Sequence, residues 1–208
     1  MDERKTLAWD VDDVLNDLMG AWLAAFCRKQ GRVGLDETNL TANPPHELLG
    51  LSLTHYLADL DRFRQADYDS LLPRPEVLTW FEQHGSSYRH LAVTAVPLTA
   101  ASCSAAWVLR HFGRWIRTFH VVPSPRPNHP APVYDGSKAE FFRWLSKVDL
   151  FVDDQPENVA AARTAGVPSL LWPRPWNDNS NTPVDALRII PDLLGSLPQS
   201  SERSTPQP

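Results

Sequence analysis

The chain has 208 residues, 42% of them hydrophobic, with 20 Lys and Arg against 25 Asp and Glu and a formal net charge of -5. That suffices for one well-filled core with a small insertion; it excludes a disordered chain, and without a basic run it excludes a nucleic-acid polymer as partner. No apolar run reaches the roughly 20 residues of a membrane span, the start MDERKTLAWD is charged where a signal peptide is apolar, and Cys27 and Cys103 lie too far apart for a CxxC metal site or a disulfide scaffold. A soluble cytoplasmic protein is expected.

In chain order, the first apolar run, 6 to 10, reads as a strand and ends in WDVDDVLND, residues 9 to 17. Four aspartates there repel one another and resist desolvation, so a cation or a shared proton is expected among them. Leu15, Leu18, Met19, Trp22, Leu23 and Phe26 follow at i, i+3, i+4, i+7, i+8 and i+11, the apolar face of a helix. About 70 residues separate this strand from the next. An inserted helical cap over 20 to 72 explains the gap, with NPPHELL and LTHYLADLDRFRQ as further helices, and leaves 1 to 19 and 73 to 196 as the core. Arg62 and Arg64 read as a solvated helix face. Trp22, Phe26, Tyr56, Phe63 and Tyr68 read as core, with stacking on a nucleobase as the alternative.

Further strands are predicted at 88 to 94, 118 to 122, 149 to 153 and 168 to 172, each nearly continuous in apolar residues, as strands covered on both faces are. Between them run helical patterns: Ala101, Ala105, Val108, Leu109 and Phe112 with Gly113 as stop, then SKAEFFRWL, then PENVAAARTAG ended by Gly166. The five prolines of 122 to 132 favour extended backbone, and 197 to 208 read as a disordered polar tail. Alternating strand and helix predict an α/β fold, a doubly wound parallel sheet with a small helical cap inserted after the first strand.

In such a sheet ligands bind outside the carboxyl ends of the strands. Those ends carry Asp10, Asp12, Thr94, Asp153 and Asp154, and Lys138 opens the helix that Ser137 and Glu140 cap. Carboxylates from two strands, a hydroxyl and a cation in one crevice are the parts of a magnesium-assisted phosphoryl-transfer site. Lys138 stands where the helix dipole disfavours a cation, a local misfit that points to function. Asp154 fits the N-cap of the next helix, with Glu157 three residues on; Asp153 has no such structural task.

WDVDDVLND resembles the DxDx(T/V)(L/V) first motif of the haloacid dehalogenase superfamily, LAVTA its second, GSKAEFF its third and LFVDDQPENVAAARTAG its acidic fourth. Within it, DVDDVLNDL, SAAWVLRHFG, FVDDQP and WPRPWN are similar to the 5'(3')-deoxyribonucleotidase group, except that Asp13 stands where a glycine is usual and 40 to 72 do not match that group's cap. The resemblance implies a Rossmann-like core and a magnesium-dependent phosphomonoester hydrolase. In it Asp10 would be the nucleophile that forms an aspartyl-phosphate and Asp12 the acid and base. Magnesium would be held by Asp10, the backbone carbonyl of Asp12 and Asp153, with Asp154 behind them, and Thr94 and Lys138 would bind the phosphate. The implied substrate is a nucleoside monophosphate; a sugar phosphate or other small phosphomonoester is the alternative. A catalytically silent binding protein on the same fold is the contrasting possibility.

Overall fold

A computed structural model describes residues 4 to 126 and 134 to 195. The tail from 197 and most of the proline-rich segment lie outside them. Five strands, β1 (Thr6–Trp9), β2 (Arg89–Val96), β3 (Ile116–Pro123), β4 (Leu150–Asp153) and β5 (Ser169–Leu171), form one parallel sheet in the order β3-β2-β1-β4-β5. The doubly wound sheet predicted above is therefore the architecture found. Strand order reverses at β1, the switch point where such sheets open a crevice.

Helices α1 (Leu18–Gln30), α2 (Leu53–Asp67) and α3 (Pro75–His84) fill the long β1–β2 connection; α4 (Leu98–Phe112), α5 (Lys138–Leu145) and α6 (Pro156–Thr164) link the later strands, and α7 (Pro183–Arg188) and α8 (Ile190–Gly195) follow β5. NPPHELL is not a helix: residues 46 to 50 form turns. Pro44, Pro45 and the left-handed Gly50 leave too few residues for one. α1 runs through residue 20 without a break, and its buried Trp22, Leu23 and Phe26 share one apolar cluster with Tyr56, Leu60 and Phe63 of α2 and with Trp9 of the sheet.

The buried stripe of α4 is Ala100, Ser104, Trp107, Val108 and Phe112; Ala101 and Ala105 are half-buried and Leu109 is exposed, against the expected register. Trp107 decides this by filling the core and donating Nε1–H to the Leu71 carbonyl at 2.8 Å. Ser104, polar and invisible to an apolar count, sits inside beside the Tyr68 hydroxyl at 3.3 Å. Gly113 does end α4, where a Cβ would collide with the Leu109 carbonyl oxygen.

Behind β1 lies an aromatic cluster in which Trp9 meets Trp80 edge-on at 5.3 Å and Phe81 at 5.1 Å. His90 is locked into it. Its Nδ1 accepts Trp9 Nε1–H at 3.0 Å, and its Nε2 lies 2.9 Å from the Gly85 carbonyl, to which it donates in the neutral form. Burial pushes its pKa down to about 4. As pH falls below 6.5 the unfolded chain binds a proton that folded His90 refuses, so stability is full above that value and falls by roughly 3 kcal/mol on the way to pH 4. Urea unfolding of wild type and His90→Phe should show a stability gap that narrows across this window. A constant gap would mean that the folded ring protonates normally.

Candidate active site

Asp10 extends β1 by one residue, its N–H bonded to the Val152 carbonyl at 2.9 Å, and so stands at the carboxyl edge of the central strand. Its Oδ1 accepts Val11 N–H at 2.7 Å and lies 2.8 Å from Lys138 Nζ, leaving Oδ2 free of both. Lys138 also donates to Asp153 Oδ2 at 2.6 Å. Its place in the first turn of α5 follows from those two carboxylates: burial works to lower its pKa, but Asp10 and Asp153 hold it above the usual value. Ser137 caps α5 through Glu140 N–H, as expected, while the Glu140 carboxylate turns to Gly136 N–H at 2.8 Å instead of closing the box.

Asp153 is fully buried, and both its oxygens are engaged, Oδ1 by Gln155 N–H at 2.8 Å and Asn158 Nδ2 at 3.2 Å, Oδ2 by Lys138 and Asn158. Asp154 does not cap α6. Gln155 holds the N-cap position, and it is Asp153 that accepts the backbone N–H at the helix entrance. A capping reading from sequence counts residues but cannot tell which of two adjacent carboxylates turns back to the helix. Asp154 turns the other way and borders the cavity, with Oδ2 accepting Trp176 Nε1–H and the Gln155 side chain, each at 2.8 Å.

Asp10, Asp12, Thr94, Lys138 and Asp154 line one cavity of about 160 Å³, closed by Tyr56, Leu60 and Arg64 of α2. Four expected site residues and Asp154 thus meet there, with Asp153 directly behind Lys138. Arg64 is not a solvated residue. It is 7% exposed, its Nη2 lies 2.9 Å from Asp12 Oδ2 and its Nη1 3.4 Å from Asp61, whereas Arg62 is exposed as expected. Asp12 Oδ1 accepts from the Tyr68 hydroxyl at 2.5 Å and from Asn16 at 3.3 Å. A signal for Arg64 exists in the sequence: Tyr56, Leu60, Phe63 and Arg64 fall at i, i+4, i+7 and i+8, so the arginine shares the buried face of α2.

Asp13 occupies the left-handed region at φ 66°, where a side chain strains the backbone and glycine does not. Its carboxylate offsets this by accepting Met19 N–H at 2.9 Å, a bond that the nominal N-cap of α1, Asp17, does not make, and by pairing with Arg174 at 3.4 Å. Arg174 lies far along the chain, and nothing local announces the pair.

Five carboxylates, Asp10, Asp12, Asp13, Asp153 and Asp154, face three cations, Lys138, Arg64 and Arg174. Burial pushes the Asp10 carboxyl up to about 7 and Asp13 to about 8, and burial together with Asp153 holds Asp154 well above the carboxylate range. Oxygens from Asp10, Asp153 and Asp154 come within 4.8 Å of one another. Hard anionic oxygens in excess of local positive charge fit a small divalent cation such as magnesium.

No protein-family model matches the chain, and a search of curated proteins finds no match. Solved structures do match over most of both chains. Protein tyrosine kinase A of Mycobacterium tuberculosis is similar with a TM-score of 0.61 and 16% identity, over 94% of this chain and 100% of that one. A haloacid dehalogenase superfamily hydrolase of subfamily IA from Geobacter sulfurreducens aligns at TM-score 0.55 and 18% identity, over 93% and 97%. A haloacid dehalogenase-like hydrolase from Streptococcus pneumoniae aligns at 0.54 and 14%, over 90% and 92%. The fold is that of the haloacid dehalogenase-like hydrolases, and at such identities the chemistry must be argued from the site. Among the described residues, no helix is long and apolar enough to cross a membrane.

Proposed function

We propose that the protein is a magnesium-dependent phosphomonoester hydrolase in which Asp10 accepts the phosphoryl group. The observation that carries this reading is the state of Asp10: a buried carboxylate at the switch point of the sheet, with Oδ1 fixed by Lys138 and Val11 and Oδ2 left for attack. Oδ2 forms the bond to phosphorus as the ester oxygen leaves, giving an aspartyl-phosphate; water then breaks the acyl phosphate and releases inorganic phosphate. Asp12, two residues on, protonates the leaving oxygen and then takes the proton of the attacking water. Thr94 and Lys138 bind the phosphoryl oxygens. Asp10, the Asp12 carbonyl and Asp154, with Asp153 as the alternative that the sequence favours, would hold magnesium, whose charge would offset that of the transferring phosphoryl.

Among substrates, small or sugar phosphomonoesters are supported over nucleoside monophosphates by the cavity. At about 160 Å³ it falls below the roughly 300–1,000 Å³ of ordinary ligand pockets, and Trp22, Phe26, Phe63 and Tyr68 are buried away from it, with Tyr56 at its wall only 3% exposed. A panel with ethyl phosphate, pentose 5-phosphates and nucleoside 5'-monophosphates should show phosphate release that magnesium restores after chelation. No release from any of them would favour a silent binding protein.

A further inference from the structure

A second cavity, of about 230 Å³, lies where α2 and the turn that follows it pack against α4, lined by Arg64, Gln65, Tyr68, Ser102, Cys103 and Ala106. Arg64 lines both cavities, and Tyr68 joins it as the partition, because its hydroxyl reaches Asp12 on one side while the residue forms part of the second cavity on the other. We propose that this groove is the leaving-group subsite, reached past Arg64 and Tyr68, and that it takes a hydroxylated alcohol of about sugar size. This rests on the phosphatase reading above, which puts the leaving oxygen at Asp12.

The first cavity seats a phosphoryl group against Asp10, and the wall nearest Asp12 is the partition. Arg64 Nε is buried with no hydrogen-bond partner, a cost that an acceptor oxygen of a ligand would relieve. The guanidinium also has somewhere to go. Asp61, already 3.4 Å from its Nη1, is gripped by Arg126 at 2.6 and 2.9 Å, so Arg64 can swing off Asp12 onto a fixed carboxylate and join the two cavities. Arg64, Gln65 and Ser102 offer polar groups suited to a polyol, and Tyr68, 2% exposed and met edge-on by Trp107, offers no face for a planar base.

The test has two arms. Ala106 and Ser102 are exposed on α4, so Ala106→Phe and Ser102→Phe should fold and fill the groove. The ratio of kcat/KM for ribose 5-phosphate to that for ethyl phosphate should fall about tenfold in each. In wild type with magnesium, alkylation of the half-buried Cys103, distinguishable from the buried Cys27, should be slowed by a non-hydrolysable phosphonate analogue of ribose 5-phosphate and not by methylphosphonate. An unchanged ratio in both variants, or unprotected Cys103, overturns the subsite. If wild type hydrolyses none of the esters, the phosphatase reading has failed, and Cys103 protection alone decides the groove.

Discussion

Asp10→Asn is expected to lose phosphomonoesterase activity by on the order of a thousandfold or more while remaining folded. The amide keeps the volume of the side chain but can neither attack phosphorus nor serve as an anionic metal ligand. Stability should move the opposite way. Burial, with Asp153 and Asp12 adding and Lys138 opposing, lifts the Asp10 carboxyl to about 7, so the folded state keeps a proton there that the unfolded chain gives up above 3.8. A raised carboxyl leaves stability intact below its unfolded pKa and costs stability as pH rises through the folded value. In chelator, the variant should therefore gain on wild type in thermal melts as pH climbs from about 4 to about 7, hold that gain at higher pH, and lose it near pH 4. Full activity in the variant would remove Asp10 from the chemistry.

The second large effect separates Asp153 from Asp154. Asp153 is fully enclosed and holds Lys138, Asn158 and the Gln155 N–H, so Asp153→Ala leaves the buried ammonium to Asp10 alone and two partly buried donors without their acceptor, and should cost roughly 3 kcal/mol even without metal. Asp154→Ala removes a carboxylate that neighbouring charge and burial already disfavour, and caps no helix. It should leave metal-free stability nearly unchanged and raise the magnesium needed for half-maximal activity by roughly 10–100-fold. Chelated thermal melts beside magnesium titrations of both variants check this. If Asp153→Ala shifts the magnesium requirement more while melting like wild type, the ligand is Asp153 and the register read from the sequence stands.

The entrance to α6, where Asp153 and not Asp154 accepts the backbone N–H, marks where sequence reading runs out. Strands β1 and β4 were legible because TLAW, followed by Asp10, and LFVD are nearly continuous apolar runs that lead into acid, and the sheet's topology then brings Asp10, Asp12 and Asp153 to one edge. Lys138 betrayed itself by sitting against its helix dipole. What stayed hidden depends on side-chain direction and on distant pairing. Asp154 faces the cavity because Trp176 and Gln155 draw it there, and Arg174 reaches Asp13 across 161 residues. Arg64 was hidden by composition: beside Arg62 and Gln65 it reads as solvent-facing, although the period of α2 puts it inward.

The covalent step is open to direct measurement. Wild type mixed with ribose 5-phosphate and magnesium, quenched in acid within a single turnover and digested, should yield the peptide containing Asp10 heavier by one phosphoryl group, with the increment absent in Asp10→Asn. Phosphate released at full rate with no phosphorylated peptide at any time, or with the phosphoryl group on another residue, would contradict Asp10 as the nucleophile.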